Sequence, residues 1–87
     1  MYTVILSSDA EKHLRKFPKE IQQRIAYALE RIRIRPHQFV ERLTNSPYYK
    51  YRVGDYRIIL AIVDDKLVIL IVDINHRKNV YKKLGER

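Results

Sequence analysis

Apolar positions between residues 21 and 32 recur at Ile21, Ile25, Ala28, Leu29 and Ile32. That spacing lays one stripe along a helix of 3.6 residues per turn. A shorter helix is predicted before it, with Ala10, Leu14 and Phe17 on its apolar side. Ser8 and Glu11 fit a capping box at its start, in which Ser8 caps and Glu11 reaches back. Pro18 ends this helix or restarts the chain, because proline is tolerated in a first turn. Arg35-Pro36 closes the second helix, since a residue before proline avoids the helical region. The two helices form a hairpin, preceded by a strand over Tyr2 to Ser7 with its β-branched and aromatic residues.

After Pro36 the helical period is lost. Residues 36–47 read as an irregular stretch with one helical turn near Phe39 and Val40, and the strand signal then returns. Val53 and Tyr56 flank Gly54-Asp55, and glycine at the first turn position suits a two-residue type II′ hairpin loop. Val53 then lies opposite Tyr56, and Arg52 opposite Arg57. Like charges facing each other across a strand pair are destabilising, so the pair makes sense only if something anionic is held there. Lys50 shares the Arg52 face because side chains alternate along a strand. A phosphate-directed patch of Lys50, Arg52 and Arg57 follows.

Val63-Asp64-Asp65-Lys66 makes the next turn, and Leu67 to Asn75 forms a last strand. Its first part, Leu67 to Val72, is apolar on both faces, the mark of a buried central strand. With a two-residue Asp64-Asp65 loop, Arg57 pairs with Val72. The cationic face then carries Ile59, Ala61, Val68, Leu70, Val72, Ile74 and, past the strand, His76. The other face carries Tyr49, Tyr51, Val53, Ile58, Leu60, Ile62, Leu67, Ile69 and Ile71, and is the side on which the helices lie. A one-residue slip would scramble this grouping. Little chain is left to cover the apolar residues on the cationic face, and exposed apolar patches mark partner surfaces. The fold class is α+β: one sheet of an N-terminal strand and a three-strand antiparallel meander, helices on one face, and a basic C-terminal tail.

Composition narrows what such a fold does. The 87 residues carry a formal net charge of +8, which favours nucleic acid, anionic membrane or an acidic protein. One domain, 1–87, is all that this length allows, and its core is thin. There is no cysteine, which excludes disulfides and thiolate metal sites. The N-terminus lacks the features of a signal peptide, and the apolar runs are too short to span a bilayer. A soluble, cytoplasmic protein with no membrane partner is expected. No His, Asp or Glu grouping has metal-ligand spacing. His13 and His37 read as surface residues and Asp73 as a structural ion-pair partner. Alternation sends Tyr48, Tyr49 and Tyr51 to different faces, at least one of them into the core.

The run Arg52-Val53-Gly54-Asp55-Tyr56-Arg57, the apolar strand after it, and His76-Arg77 with Tyr81 together resemble the RelE/ParE superfamily of toxins from toxin–antitoxin pairs, most closely its RelE-type members. The likeness includes the starting strand and the helical hairpin with its Phe17-Pro18 junction. It implies a microbial RNase-like fold, cleavage of mRNA in the ribosomal decoding site, and neutralisation by a cognate antitoxin. Lys50, Arg52 and Arg57 stand where RelE-type toxins place basic residues on two strands. Arg77 and Tyr81 are similar to an arginine and a tyrosine near the C-terminus, and His76 to a histidine used by some members. Arg52 replaces the more usual lysine, and the Arg77-to-Tyr81 spacing is short for the family.

Such cleavage needs no metal or cofactor. The RNA 2′-OH attacks its own phosphate and expels the next nucleotide's 5′-oxygen, while the protein fixes geometry, stabilises charge and moves two protons. Arg57, with Arg52 and Arg77, is expected to clamp the phosphate. Lys50, crowded by cations, is a candidate base. His76 is the natural proton donor or acceptor, and Tyr81 a stacking or orienting residue. The implied partners are an acidic antitoxin, the ribosome and mRNA. Two alternatives share the fold: a ParE-like DNA gyrase inhibitor without nuclease activity, and a decayed toxin that only binds its antitoxin.

Overall fold

The apolar stripes become helices where the spacing puts them, and both pack on one face of a sheet. In the computed structural model, residues 1–76 are described. Strand β1 spans Thr3–Leu6, helix α1 Ser8–Lys16 and helix α2 Lys19–Arg31. A 3₁₀ turn at Pro36–Gln38 leads into a two-residue strand, β2, at Glu41–Arg42. Strands β3 (Tyr49–Val53), β4 (Tyr56–Val63) and β5 (Val68–His76) complete one five-stranded sheet in the order β1-β5-β4-β3-β2. The β1–β5 pair is parallel and the rest antiparallel. The α+β class and the helices on one face match expectation; β2, too short to announce itself in the sequence, does not.

The core lies between sheet and helices. Ile25, Ala28, Leu29 and Ile32 of α2 and Ala10 of α1 are buried against Tyr51, Val53, Ile58, Leu60, Ile69, Ile71 and Ile74. Tyr51 is the core tyrosine among its neighbours, its hydroxyl donating to the Ala28 carbonyl at 3.1 Å. Burial raises its pKa, with Arg31 pulling weakly the other way.

Three local readings are corrected. The cap of α1 is Ser7, not Ser8: its Oγ accepts from the Ala10 N–H at 3.0 Å. The same Oγ donates to the Val72 carbonyl at 2.7 Å, tying the start of α1 to β5. The β4–β5 turn takes Asp64 to Leu67 rather than two residues, so Val63 pairs with Val68. Leu67 closes it in a left-handed conformation, φ 53°. Asp64 is held there by the Tyr2 hydroxyl at 2.7 Å and by His37 at 3.0 Å.

The third correction matters most for function. Leu60 pairs with Ile71 but Ile59 pairs with Asp73, so β5 carries a bulge and Val72 is its extra residue. The longer turn moves the register by two and leaves the faces alone. The bulge moves it by one and exchanges them. Beyond it Arg57 pairs with Asn75, not Val72, and Ile74 becomes fully buried core. Ile74, paired with Ile58, and His76, paired with Tyr56, therefore lie on the helix side rather than on the cationic face as expected.

Candidate nucleic-acid interface

The β3–β4 hairpin forms as its sequence dictates. Gly54 has φ 61° and Asp55 has no positive φ, which suits a type II′ turn. Val53 pairs with Tyr56, Arg52 with Arg57, Tyr51 with Ile58, and Lys50 with Ile59. Because Tyr51 and Val53 are core, Lys50, Arg52 and Arg57 project from the sheet face opposite the helices. Arg52 is exposed, while Arg57, on an inner strand, is 9% exposed. Keeping a guanidinium in so sheltered a position requires compensating polar groups. Asn75 is its cross-strand neighbour on β5, and Asn75 Nδ2 donates to Asp73 Oδ2 at 2.7 Å.

Lys50 has an acidic neighbour that the sequence did not reveal. Glu41 of β2 pairs with Lys50 in register, and its carboxylate lies 3.4 Å from Lys50 Nζ. Next to them a cavity of about 290 Å³ is lined by Phe39, Glu41, Lys50 and Arg52. Arg24 of α2 reaches the hairpin tip, its Nη1 lying 3.4 Å from where a side chain on Gly54 would begin. The folded chain thus adds a third arginine near the loop.

The remaining candidates fall elsewhere. His76 pairs with Tyr56, its ring edge-on to Tyr56 at 5.1 Å, and Tyr56 in turn meets Phe17 at 4.9 Å. That row lies on the helix side, so His76 and Arg57 occupy opposite faces. Arg77 and Tyr81 lie outside the described residues. His13, read from sequence as a surface residue, joins Asp73 instead, with Nδ1 2.7 Å from Oδ1; the Ile74 N–H donates to the same oxygen at 2.9 Å. His37 is engaged by Asp64 in the same way, at the far end of the sheet. Among the described residues no group of His, Asp and Glu could hold a metal ion. No helix among them is long and apolar enough to cross a membrane.

Beside the cations, the open face carries an apolar row. Ile5 pairs with Leu70, and Leu70 with Ala61. Ile5 is 47% and Leu70 36% exposed, with Val68 and Ile59 half-buried alongside. Ile5 joins this row through the parallel pairing of β1 with β5, which alternation within single strands does not reveal.

The chain matches the model of the ParE toxin of type II toxin–antitoxin systems over residues 4–81. It therefore belongs to that family, within the RelE/ParE superfamily, and is the toxin of a type II toxin–antitoxin pair. It is 29% identical over 91 residues to a RelE-like toxin protein of Escherichia coli, covering 99% of this chain and 96% of that one. Among solved structures it is similar to a RelBE toxin–antitoxin complex from Mycobacterium tuberculosis, with a TM-score of 0.79 and 25% identity over 87% of this chain and 98% of that one. The archaeal RelE–RelB complex from Pyrococcus horikoshii gives 0.75 and 26%, over 87% and 94%. The isolated Escherichia coli RelE toxin, 19% identical, shares the fold with a TM-score of 0.76 over 95% of this chain and 94% of that one.

Proposed function

We propose that this toxin inhibits translation by cutting mRNA in the ribosomal A site, using the open face of its hairpin as the phosphate site. The observation that carries this reading is the register pair Arg52–Arg57 with Lys50 on the same face. Two facing guanidiniums repel each other, and a phosphate placed between them converts the repulsion into two charge-assisted contacts. Arg57, sheltered on an inner strand, holds the scissile phosphate, and Arg52 closes on it from β3. As the 2′-OH oxygen bonds to phosphorus, the P–O5′ bond breaks, leaving a 2′,3′-cyclic phosphate and a free 5′-OH. One proton leaves the 2′-OH and one arrives at O5′. The arginines stay charged and stabilise the phosphorane. Lys50 is the proton-carrying group on that face. His76 lies on the other face with its ring against Tyr56, so the proton that reaches O5′ comes from solvent rather than from it. Arg77 and Tyr81 complete the set that the family resemblance implies.

The partner that silences the site is an antitoxin. The structures to which this chain is similar include toxin complexes with RelB. The apolar row Ile5–Leu70–Ala61 beside a +8 chain suits an acidic, amphipathic segment of such a protein.

A second reading is a ParE-like gyrase inhibitor, favoured by the ParE family match over residues 4–81. Purified toxin added to ribosomes programmed with a defined mRNA separates the two. Primer extension should show cuts confined to the decoding-site codon, absent on free mRNA and lost with Arg57→Ala. No cuts, together with inhibited supercoiling by gyrase, would make the second reading the correct one.

A further inference from the structure

The cavity beside the cations has a lining that phosphate binding alone does not explain. Lys50 and Arg52 suit a phosphate, but Glu41 repels one, and Phe39 is indifferent to it. Phe39 follows the 3₁₀ turn and is 37% exposed, with the Arg31 guanidinium over its ring at 5.3 Å. Glu41 stands on β2, paired in register with Lys50. At about 290 Å³ the cavity lies at the small end of ligand clefts, room for one ring system rather than a large ligand.

We propose that this cavity binds a guanine base of the RNA, with Phe39 as its aromatic wall and the Glu41 carboxylate as its reader. The proposal rests on the reading of Arg52 and Arg57 as an RNA phosphate site, because Arg52 belongs to both. An ionised carboxylate only accepts hydrogen bonds. Guanine alone presents two adjacent donors on its pairing edge, N1–H and the N2 amine. Adenine and cytosine present one donor beside an acceptor, and uracil one donor between two acceptors, so each turns a lone pair toward Glu41. Unpaired RNA bases are held in this manner, splayed out against an aromatic ring with the pairing edge read by side chains. A plain ion pair with Lys50 is a weak reason for Glu41 to be here. The two atoms are 3.4 Å apart; the Lys50 side chain is 18% exposed but that of Glu41 is 75% exposed, so solvent screens the pair at the carboxylate and leaves that group open to a ligand.

Titrating the purified toxin with guanosine 5′-monophosphate and with adenosine 5′-monophosphate, followed by NMR at Phe39, Glu41 and Arg52, tests the assignment. The guanine nucleotide should bind roughly tenfold more tightly, the discrimination expected of one two-bond base contact. Glu41→Ala should erase that preference without weakening the adenine nucleotide, and Phe39→Leu should weaken both. Equal affinities in the parent protein, or a guanine preference that survives Glu41→Ala, overturn the proposal. The titration involves neither ribosome nor cleavage. A toxin that cuts mRNA yet binds both nucleotides equally refutes the base site alone, and one that prefers guanine yet never cuts refutes the nuclease alone.

Discussion

The Ser7 hydroxyl joins the start of α1 to the bulge in β5: Oγ accepts from the Ala10 N–H at 3.0 Å and donates to the Val72 carbonyl at 2.7 Å. One side chain therefore satisfies a helix terminus and the irregular carbonyl of the strand that carries Asp73 and Asn75. Ser7→Ala should lower stability by about 1–2 kcal/mol, measured by urea unfolding. Ser8→Ala should leave it nearly unchanged, and equal losses in the two variants would contradict the cap assignment.

The bulge decides which β5 residues are structural. Ile74 is fully buried, whereas Ile5 and Leu70 sit partly exposed on the open face. Ile74→Ala should cost about 2–5 kcal/mol, the usual range for truncating a core isoleucine. Ile5→Asp should instead spare the fold and weaken capture of the antitoxin in co-purification. An Ile74→Ala protein as stable as its parent would restore the unbulged register.

The hairpin was legible because its cause is local. Gly54 permits the turn, alternation follows, and the Arg52–Arg57 pair needs no tertiary information. The helix stripe at Ile25, Ala28, Leu29 and Ile32 was legible for the same reason. The bulge was not, because no residue type marks Val72 as extra, and the side chain that bonds its carbonyl, Ser7, is 65 positions away in sequence. Every β5 residue after the bulge changes face with it, so alternation alone puts Ile74 and His76 beside Arg57, whereas they pair with Ile58 and Tyr56. Glu41 is not legible in the sequence because a two-residue strand, Glu41–Arg42, has no period to detect. His13 looked like surface because its partner, Asp73, comes from a distant strand.

The Tyr2–Asp64 bond should show its own pH window. Hydrogen bonds from Tyr2 and His37 hold the Asp64 carboxyl below its ordinary 3.8, and the same contact raises the Tyr2 hydroxyl above 10.0. A depressed carboxyl contributes stability above its unfolded pKa and loses it as pH falls through the folded one. A raised phenol contributes below its unfolded pKa and loses it as pH rises through the folded one. The difference in Tm between the parent and Tyr2→Phe should therefore be largest between pH 3.8 and pH 10.0 and shrink beyond both limits. A difference that stays constant into strong acid would show that the ring's packing, not the bond to Asp64, is what Tyr2 supplies.

Arg52 and Arg57 should trade stability against activity. Arg52 is exposed and faces Arg57 across the hairpin, so Arg52→Ala removes a like-charge pair and should stabilise the free toxin by roughly 0.2–1 kcal/mol. Cleavage should fall by roughly 10²–10³-fold, the scale seen when one group that stabilises transition-state charge is removed. The same repulsion makes the parent responsive to anions. Phosphate should raise its Tm more than chloride at equal ionic strength, and Arg52→Ala should flatten that difference. General screening would act alike for both salts, so a specific phosphate response confined to the parent ties the arginine pair to an anion rather than to charge at large. Should Arg52→Ala prove less stable than the parent and equally responsive to phosphate, the pair is not strained and the anion binds elsewhere.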